Sequence, residues 1–136
     1  SRLDTIQASI LIEKLKIFPN ELIARNRIAS KYSELLSEKN IKTPFCSKNL
    51  KSAWAQYTLF LENRDLIQSN LKANNIPSVV YYPIPLSKQI GYTDYPSVST
   101  GLDTSNLLSD HVLSLPMHPY LSEEEINNIV SKIVGD

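Results

Sequence analysis

The sequence contains few of the residues from which cofactor and metal sites are commonly built. Its 136 residues include three Gly, two His and one Cys. One Cys excludes an internal disulfide, and two His with one Cys do not supply the four ligands of a usual zinc site. The glycines are isolated, and none of the motifs GxGxxG, GxxxxGK[ST] or GxSxG occurs. A self-contained phosphate cradle or serine nucleophile is therefore not predicted.

Neither an excess of one charge nor a long hydrophobic run is present. Lys plus Arg and Asp plus Glu number 14 each, which argues against an electrostatic nucleic-acid binder. No apolar run approaches the roughly 20 residues that span a bilayer, and the first residues lack the pattern of a signal peptide. With Cys46 as the single thiol, the sequence favours a cytoplasmic protein without membrane partners. Its first residue is not Met, which indicates a processed chain or a fragment.

The apolar residues of the first third recur at helical spacing. They predict two long consecutive helices, over about residues 3–17 and 22–36, with a break at Pro19. A further helix is predicted over 64–73. The last helix follows Ser122, which forms a capping box with the Glu three residues later.

Three short strands are predicted between and after these helices. Residues 53–62 alternate, residues 78–82 are β-branched and aromatic, and residues 111–115 are largely apolar. Residues 86–110 show no period, which is typical of a functional or disordered connection. The order of elements predicts an α+β fold, in which a three-stranded sheet is backed by helices.

Three side chains near predicted strand ends are candidates for one site: Tyr82, Ser87 and His118. His118 lies between two prolines, and rigid loops at strand ends often carry functional groups. The alternative for His118 is a turn residue whose ring is hydrogen-bonded to backbone. Lys48, the nearest candidate for Schiff-base chemistry, lies in a polar loop and is interpreted as solvated. The acidic run 123–125 is explained by its place in the first turn of a helix.

Several segments together match one family in the same order along the chain. They are RLDTIQASIL at 2–11, RIA at 27–29 with Tyr32, AWAQY at 53–57, YYPIPL at 81–86 with Gln89, and SLPMHPYL at 114–121. These segments resemble the C-terminal part of the sugar aminotransferases of DegT type, over essentially the whole chain.

This resemblance implies an aspartate aminotransferase fold and a homodimer with pyridoxal phosphate at its interface. The expected reaction moves an amino group from glutamate to a keto nucleotide sugar for surface-polysaccharide biosynthesis. The catalytic Lys is expected upstream of residue 1, so this chain alone should be inactive. Residues 1–40 would link to a large domain, and residues 41–136 would form a small domain with a mainly antiparallel sheet.

The resemblance also assigns roles to individual residues. Arg2 matches the Arg of an Asn-x-Arg motif near the cofactor, and a guanidinium suits a phosphate or a sugar carboxylate. The alternative for Arg2 is an ion pair where the first helix begins. Tyr82 and His118 are expected near the sugar. Ser87 stands where the family commonly has His, which removes a ring and a possible positive charge.

The substrate is less closely defined than the family. The motifs are most similar to those of members that aminate UDP-2-acetamido-3-keto-glucuronate, and 4-keto sugars remain open. Another open function is non-catalytic, a domain of the same fold that serves in sensing or oligomerisation.

Overall fold

The computed structural model describes residues 3–135. Within them are four α-helices and two β-strands. In chain order they are α1 (Thr5–Glu38), β1 (Tyr57–Phe60), α2 (Arg64–Ala73), α3 (Asp103–His111), β2 (Val112–Leu115) and α4 (Glu123–Val134), with 3₁₀ turns at Leu86–Lys88 and Ile90–Tyr92 between α2 and α3.

Helix α1 is a single helix of 34 residues, which corrects the predicted pair of helices. Its first turn is capped by Asp4, whose carboxylate accepts a hydrogen bond from the Gln7 amide at 2.8 Å. The helix continues through Pro19, although a proline inside a helix costs about 3 kcal/mol. The later turns of α1 are buried, at Ile28 and Leu36 among others. This tertiary packing stabilises the helix, and a prediction from the local sequence around the proline does not take it into account.

The sheet consists of β1 and β2, paired antiparallel from Tyr57 opposite Leu115 to Phe60 opposite Val112. The predicted third strand over 78–82 is reduced to one bridge, in which Val79 and Ser114 exchange hydrogen bonds of 3.1 and 2.8 Å. Prolines at 77 and 83 flank this segment, and since a proline has no N–H to donate, the ladder does not extend. The predicted α+β class with an antiparallel sheet is confirmed.

Helices α2 and α4 are the two that the sequence defines most closely. Helix α2 covers the predicted 64–73. Helix α4 begins with the predicted capping box: the Ser122 hydroxyl accepts from the Glu125 amide, and the Glu125 carboxylate accepts from the Ser122 amide. The Ser122 amide and hydroxyl both donate to the Glu125 carboxylate, and these two bonds lower the pKa of Glu125, an effect that the neighbouring His118 reinforces.

Helix α3 lies inside the segment 86–110, for which the sequence predicts no regular structure. It also includes His111, which was expected to open a strand; β2 begins one residue later. The side chains that α3 turns inward include Asn106, which is half-buried, and Ser109, which is buried. Since small polar residues occupy the inner face, the helix has no apolar stripe for a periodicity search to detect.

The core lies between the later half of α1, the two strands, α2 and α4. At its centre the rings of Tyr32 and Tyr57 are 5.0 Å apart, and both are fully buried. The Tyr57 hydroxyl lies 2.8 Å from that of Ser33, and the Tyr32 hydroxyl donates to the carbonyl of Pro116 at 3.1 Å. The later half of α1 therefore belongs to the same core as the residues after 41, and the domain boundary at residue 40 stays a prediction.

The first half of α1 extends away from this core. Nearly all side chains from residue 3 to residue 20 are exposed. The large apolar ones among them are Leu3, Ile6, Ile10, Leu11, Ile12, Leu15, Ile17 and Phe18. We call residues 3–20 the apolar arm. An isolated helix of this length is marginally stable in water, so the arm is expected to need a packing partner.

Candidate functional site

Two adjoining cavities lie between the segment after Val79 and helix α3. The first has a volume of about 580 Å³ and is bordered by Tyr81 to Gln89 on one side and by α3 on the other. The second has a volume of about 710 Å³ and is bordered by Ser87, the turn at 92–98 and the start of α3. Both cavities share Pro85, Leu86 and Ser105 as lining residues. Both volumes suit small-molecule ligands.

The YYPIPL segment positions the predicted sugar contacts. Its prolines restrict the backbone before the 3₁₀ turn at Leu86–Lys88. Tyr82 lines the first cavity, and Ser87 lines the second. Tyr82 is largely exposed, at 73%. The structure therefore brings Tyr82 and Ser87 to neighbouring cavities.

His118 lines neither of these two cavities. Its Nδ1 accepts a hydrogen bond from the Tyr120 amide at 3.3 Å, and the two rings lie 6.5 Å apart. This is the backbone contact that the structural alternative for His118 predicts. Tyr82 and Ser87 line two adjoining cavities rather than one, so the convergence of the three side chains and a substrate role for His118 stay predictions. Arg2, the fourth predicted site residue, lies outside the described residues.

The segment that carries His118 is hydrogen-bonded to side chains of α1. Arg25 donates hydrogen bonds to the carbonyls of Trp54 and Met117, at 2.9 and 3.1 Å. The Tyr120 hydroxyl donates to the Glu21 carboxylate, and this bond is the main cause of a raised pKa for Tyr120. Arg25 was not among the predicted site residues, because its role depends on partners 29 and 92 positions away.

A pair of tyrosines on the second cavity was also not predicted. The rings of Tyr92 and Tyr95 have centroids 5.7 Å apart and are tilted by 41°. Tyr92 is the last residue of the 3₁₀ turn Ile90–Tyr92, and Tyr95 lies three residues later, before helix α3. Their spacing of three residues in a segment without a period was the available signal.

Two structural features are absent from the described part of the chain: a metal-binding cluster and a membrane-spanning helix. Residues 3–135 contain no cluster of three or more His, Cys, Asp or Glu side chains suited to a metal ion. Within the same range, no helix combines the length and hydrophobicity that crossing a membrane requires.

Comparison with known proteins decides the family. The sequence model of the DegT/DnrJ/EryC1/StrS aminotransferase family matches residues 1–134. The chain belongs to this family.

Named relatives agree with this membership. Over 135 residues the chain is 42% identical to UDP-2-acetamido-2-deoxy-3-oxo-D-glucuronate aminotransferase of Pseudomonas aeruginosa, covering 99% of this chain and 37% of that protein. It is 31% identical over 133 residues to dTDP-3-amino-3,6-dideoxy-alpha-D-galactopyranose transaminase of Aneurinibacillus thermoaerophilus, covering 98% and 36%. The crystal structure of a DegT/DnrJ/EryC1/StrS aminotransferase from Brucella abortus superposes with a TM-score of 0.94 at 48% identity, covering 98% of this chain and 36% of that one.

The chain of this DegT-type family member spans little more than a third of the length of these relatives. Membership in the family implies pyridoxal phosphate as cofactor. The two cavities do not fit its phosphate or its aldehyde, because no Lys or Arg is among the residues that line them. Their linings offer rings, hydroxyls and one amide instead, which suit a neutral polar ligand.

Proposed function

We propose that this chain is the C-terminal domain of a pyridoxal phosphate-dependent aminotransferase that acts on a keto nucleotide sugar, with glutamate as amino donor. The product would serve surface-polysaccharide biosynthesis. Family membership over residues 1–134 carries the proposal. The 42% identical relative is a UDP-2-acetamido-2-deoxy-3-oxo-D-glucuronate aminotransferase, which favours UDP-2-acetamido-3-keto-glucuronate as the substrate.

In this proposal the cofactor is bound mainly by the protein segment upstream of the chain. Pyridoxal phosphate supplies the chemistry that takes an amino group from one substrate and delivers it to another. The uncharged cavities leave the catalytic Lys and the main phosphate contacts to that upstream part, and Arg2 is proposed as an additional contact. We also propose a homodimer, and the unpaired Cys46 agrees with a cytoplasmic enzyme.

The residues of this chain would shape the sugar end of the substrate pocket. Tyr82 and Ser87 line adjoining cavities, so one extended ligand could contact both. Their hydroxyls would bind sugar hydroxyls or the acid group by hydrogen bonds without a formal charge. His118 is proposed to lie near the same substrate, on the segment that Arg25 holds against α1.

The test measures transamination by the full-length protein. With glutamate and a UDP-2-acetamido-3-keto-glucuronate substrate we expect formation of 2-oxoglutarate and of the amino sugar, and a weaker reaction with 4-keto UDP-sugars. A cofactor-loaded enzyme that aminates neither class of ketone would refute the proposed function. Faster amination of 4-keto sugars would correct the substrate and keep the reaction.

A substitution at Ser87 tests the proposed sugar contact. Ser87→His restores the residue common in the family, and we expect a change in KM for the keto sugar with little change in KM for glutamate. Ser99→His is the matched control, because Ser99 is exposed and lines neither cavity. Equal sugar KM values for both variants and the wild type would remove Ser87 from the substrate pocket.

A further inference from the structure

The second cavity presents two aromatic rings to solvent on one wall. Tyr92 and Tyr95 are 46% and 69% exposed, and their ring centroids lie 5.7 Å apart. The turn that carries them is fixed by hydrogen bonds: the Tyr95 amide donates to the Tyr92 carbonyl at 3.2 Å, and the Thr93 hydroxyl donates to the Ile90 carbonyl at 3.3 Å. Two rings that are exposed and held by their backbone form a preorganised stacking surface.

The remaining lining of this cavity combines apolar side chains with hydroxyl groups and carries no charge. It includes the hydroxyls of Ser87, Ser97 and Ser105, and no Lys, Arg, Asp or Glu is among its lining residues. For Ser87 and Ser97 the structure shows no intramolecular hydrogen-bond partner within residues 3–135, so both hydroxyls are available to a ligand. A diphosphate would need cations or several amide donors here. A flat, neutral ring with carbonyl and N–H groups fits the cavity better.

A nucleotide sugar has one such part, its nucleobase. We propose that Tyr92 and Tyr95 form a stacking surface for the pyrimidine base of the nucleotide-sugar substrate. This inference rests on the proposed function, and it adds a base subsite to the proposed sugar contact at Ser87, which lines the same cavity. The two relatives described above carry uridine and thymidine nucleotides in their names, and both bases are pyrimidines that one tyrosine surface would accept.

The experiment measures the binding of UDP to the cofactor-loaded, full-length protein by titration calorimetry. Stacking of a base on an aromatic side chain is worth enough that its loss weakens binding about 5- to 150-fold. We therefore expect Tyr92→Ala and Tyr95→Ala to weaken UDP binding within that range. Tyr92→Phe and Tyr95→Phe keep the rings and should bind within about twofold of wild type.

Two comparisons separate stacking from general damage to the loop. Ile90→Ala changes an apolar side chain on the same loop that is 96% exposed and lines neither cavity, and it should bind UDP as wild type does. Inorganic pyrophosphate has no base, so its affinity should be equal in wild type and in both alanine variants. An equal loss of UDP and pyrophosphate affinity would overturn the stacking inference.

The outcomes also separate this inference from the proposed function. If the wild type aminates a keto UDP-sugar and the alanine variants bind UDP unchanged, the base subsite is wrong and the function stands. If the wild type binds UDP through these tyrosines but aminates no keto sugar, the subsite stands and the aminotransferase function falls. If the wild type binds no UDP, the base subsite is refuted irrespective of activity.

Discussion

Tyr32→Phe tests how strongly α1 holds the segment that follows β2. The Tyr32 ring is fully buried, and its hydroxyl donates to the Pro116 carbonyl at 3.1 Å. The substitution keeps the ring and removes the donor. A net hydrogen bond contributes about 1 kcal/mol, and an acceptor left unpaired in the interior adds to the loss. We therefore expect the free energy of unfolding at neutral pH to fall by about 1–2 kcal/mol.

The same substitution has a pH dependence whose sign follows from the burial of the phenol. Burial raises the pKa of Tyr32 above its ordinary value of 10.0, with smaller contributions from Tyr57 and Glu125. Below about pH 10 the phenol is protonated in both states and its contribution is complete. As the pH rises further, the unfolded state ionises first, and the wild type loses about 1.4 kcal/mol per pH unit. The Phe variant lacks this loss, so the cost of the substitution shrinks.

Urea unfolding measures both effects. Trp54, the only Trp of the chain, lies 5.7 Å from the ring of Tyr57 in the core and reports on unfolding by its fluorescence. Tyr95→Phe is the control, because Tyr95 is 69% exposed and loss of its hydroxyl should change neither the free energy of unfolding nor its pH dependence. A Tyr32→Phe cost that is below about 0.3 kcal/mol at neutral pH, or that stays constant above about pH 10, would refute the reasoning.

Substitutions at four other residues give sharp expectations. Ser122→Ala should lower the free energy of unfolding by about 1 kcal/mol in urea titrations, because it removes the acceptor for the Glu125 amide at the start of α4; unchanged stability would contradict the capping role. Arg25→Ala should cost about 1.5–3 kcal/mol in the same assay, and Arg25→Lys should restore only part of this, because an ammonium lacks the fork that reaches two carbonyls. Pro19→Ala should slow amide hydrogen exchange in the middle of α1, because it raises the free energy of local opening by up to about 3 kcal/mol. Unchanged exchange would show that the proline does not destabilise the helix there. Ile10→Glu should reduce self-association of the 136-residue chain in light scattering, because Ile10 is 54% exposed on the apolar arm; a chain that is monomeric at high concentration before the substitution would refute the prediction.

Local signals in the sequence predict the elements whose ends are determined locally. Helix α4 begins at a capping box and α2 ends at an asparagine pair, so both could be placed to within a residue. Alternation over residues 53–62 predicted β1, and the apolar run 111–115 predicted β2, although both strands are shorter than their patterns. The helix break predicted at Pro19 was wrong, because packing further along α1 outweighs the local cost of the proline. Helix α3 was not predicted, because its inner face carries Asn106 and Ser109 rather than apolar residues.

The candidate site could be predicted where chain neighbours form it and not where distant segments meet. Tyr82 and Ser87 are five residues apart on a proline-stiffened segment, and they line adjoining cavities. The contact of Arg25 with Met117 joins α1 to the loop after β2, and no spacing in the sequence encodes that pairing. Residue chemistry therefore identified candidates, while the topology decided which of them line adjoining cavities.

The distribution of charge in the described chain bears on how the proposed active site is divided. A nucleotide sugar and a phosphorylated cofactor together carry several negative charges, and each needs cations or amide donors close by. The two cavities provide rings, hydroxyls and an amide without any Lys or Arg. Under the proposed function, the two cavities would therefore bind neutral parts of the substrate, and the remaining two-thirds of the family's length would supply the catalytic Lys and most anion contacts, with Arg2 as an additional one. Exchanging this chain between family members should then alter the KM for the sugar nucleotide more than the affinity for the cofactor.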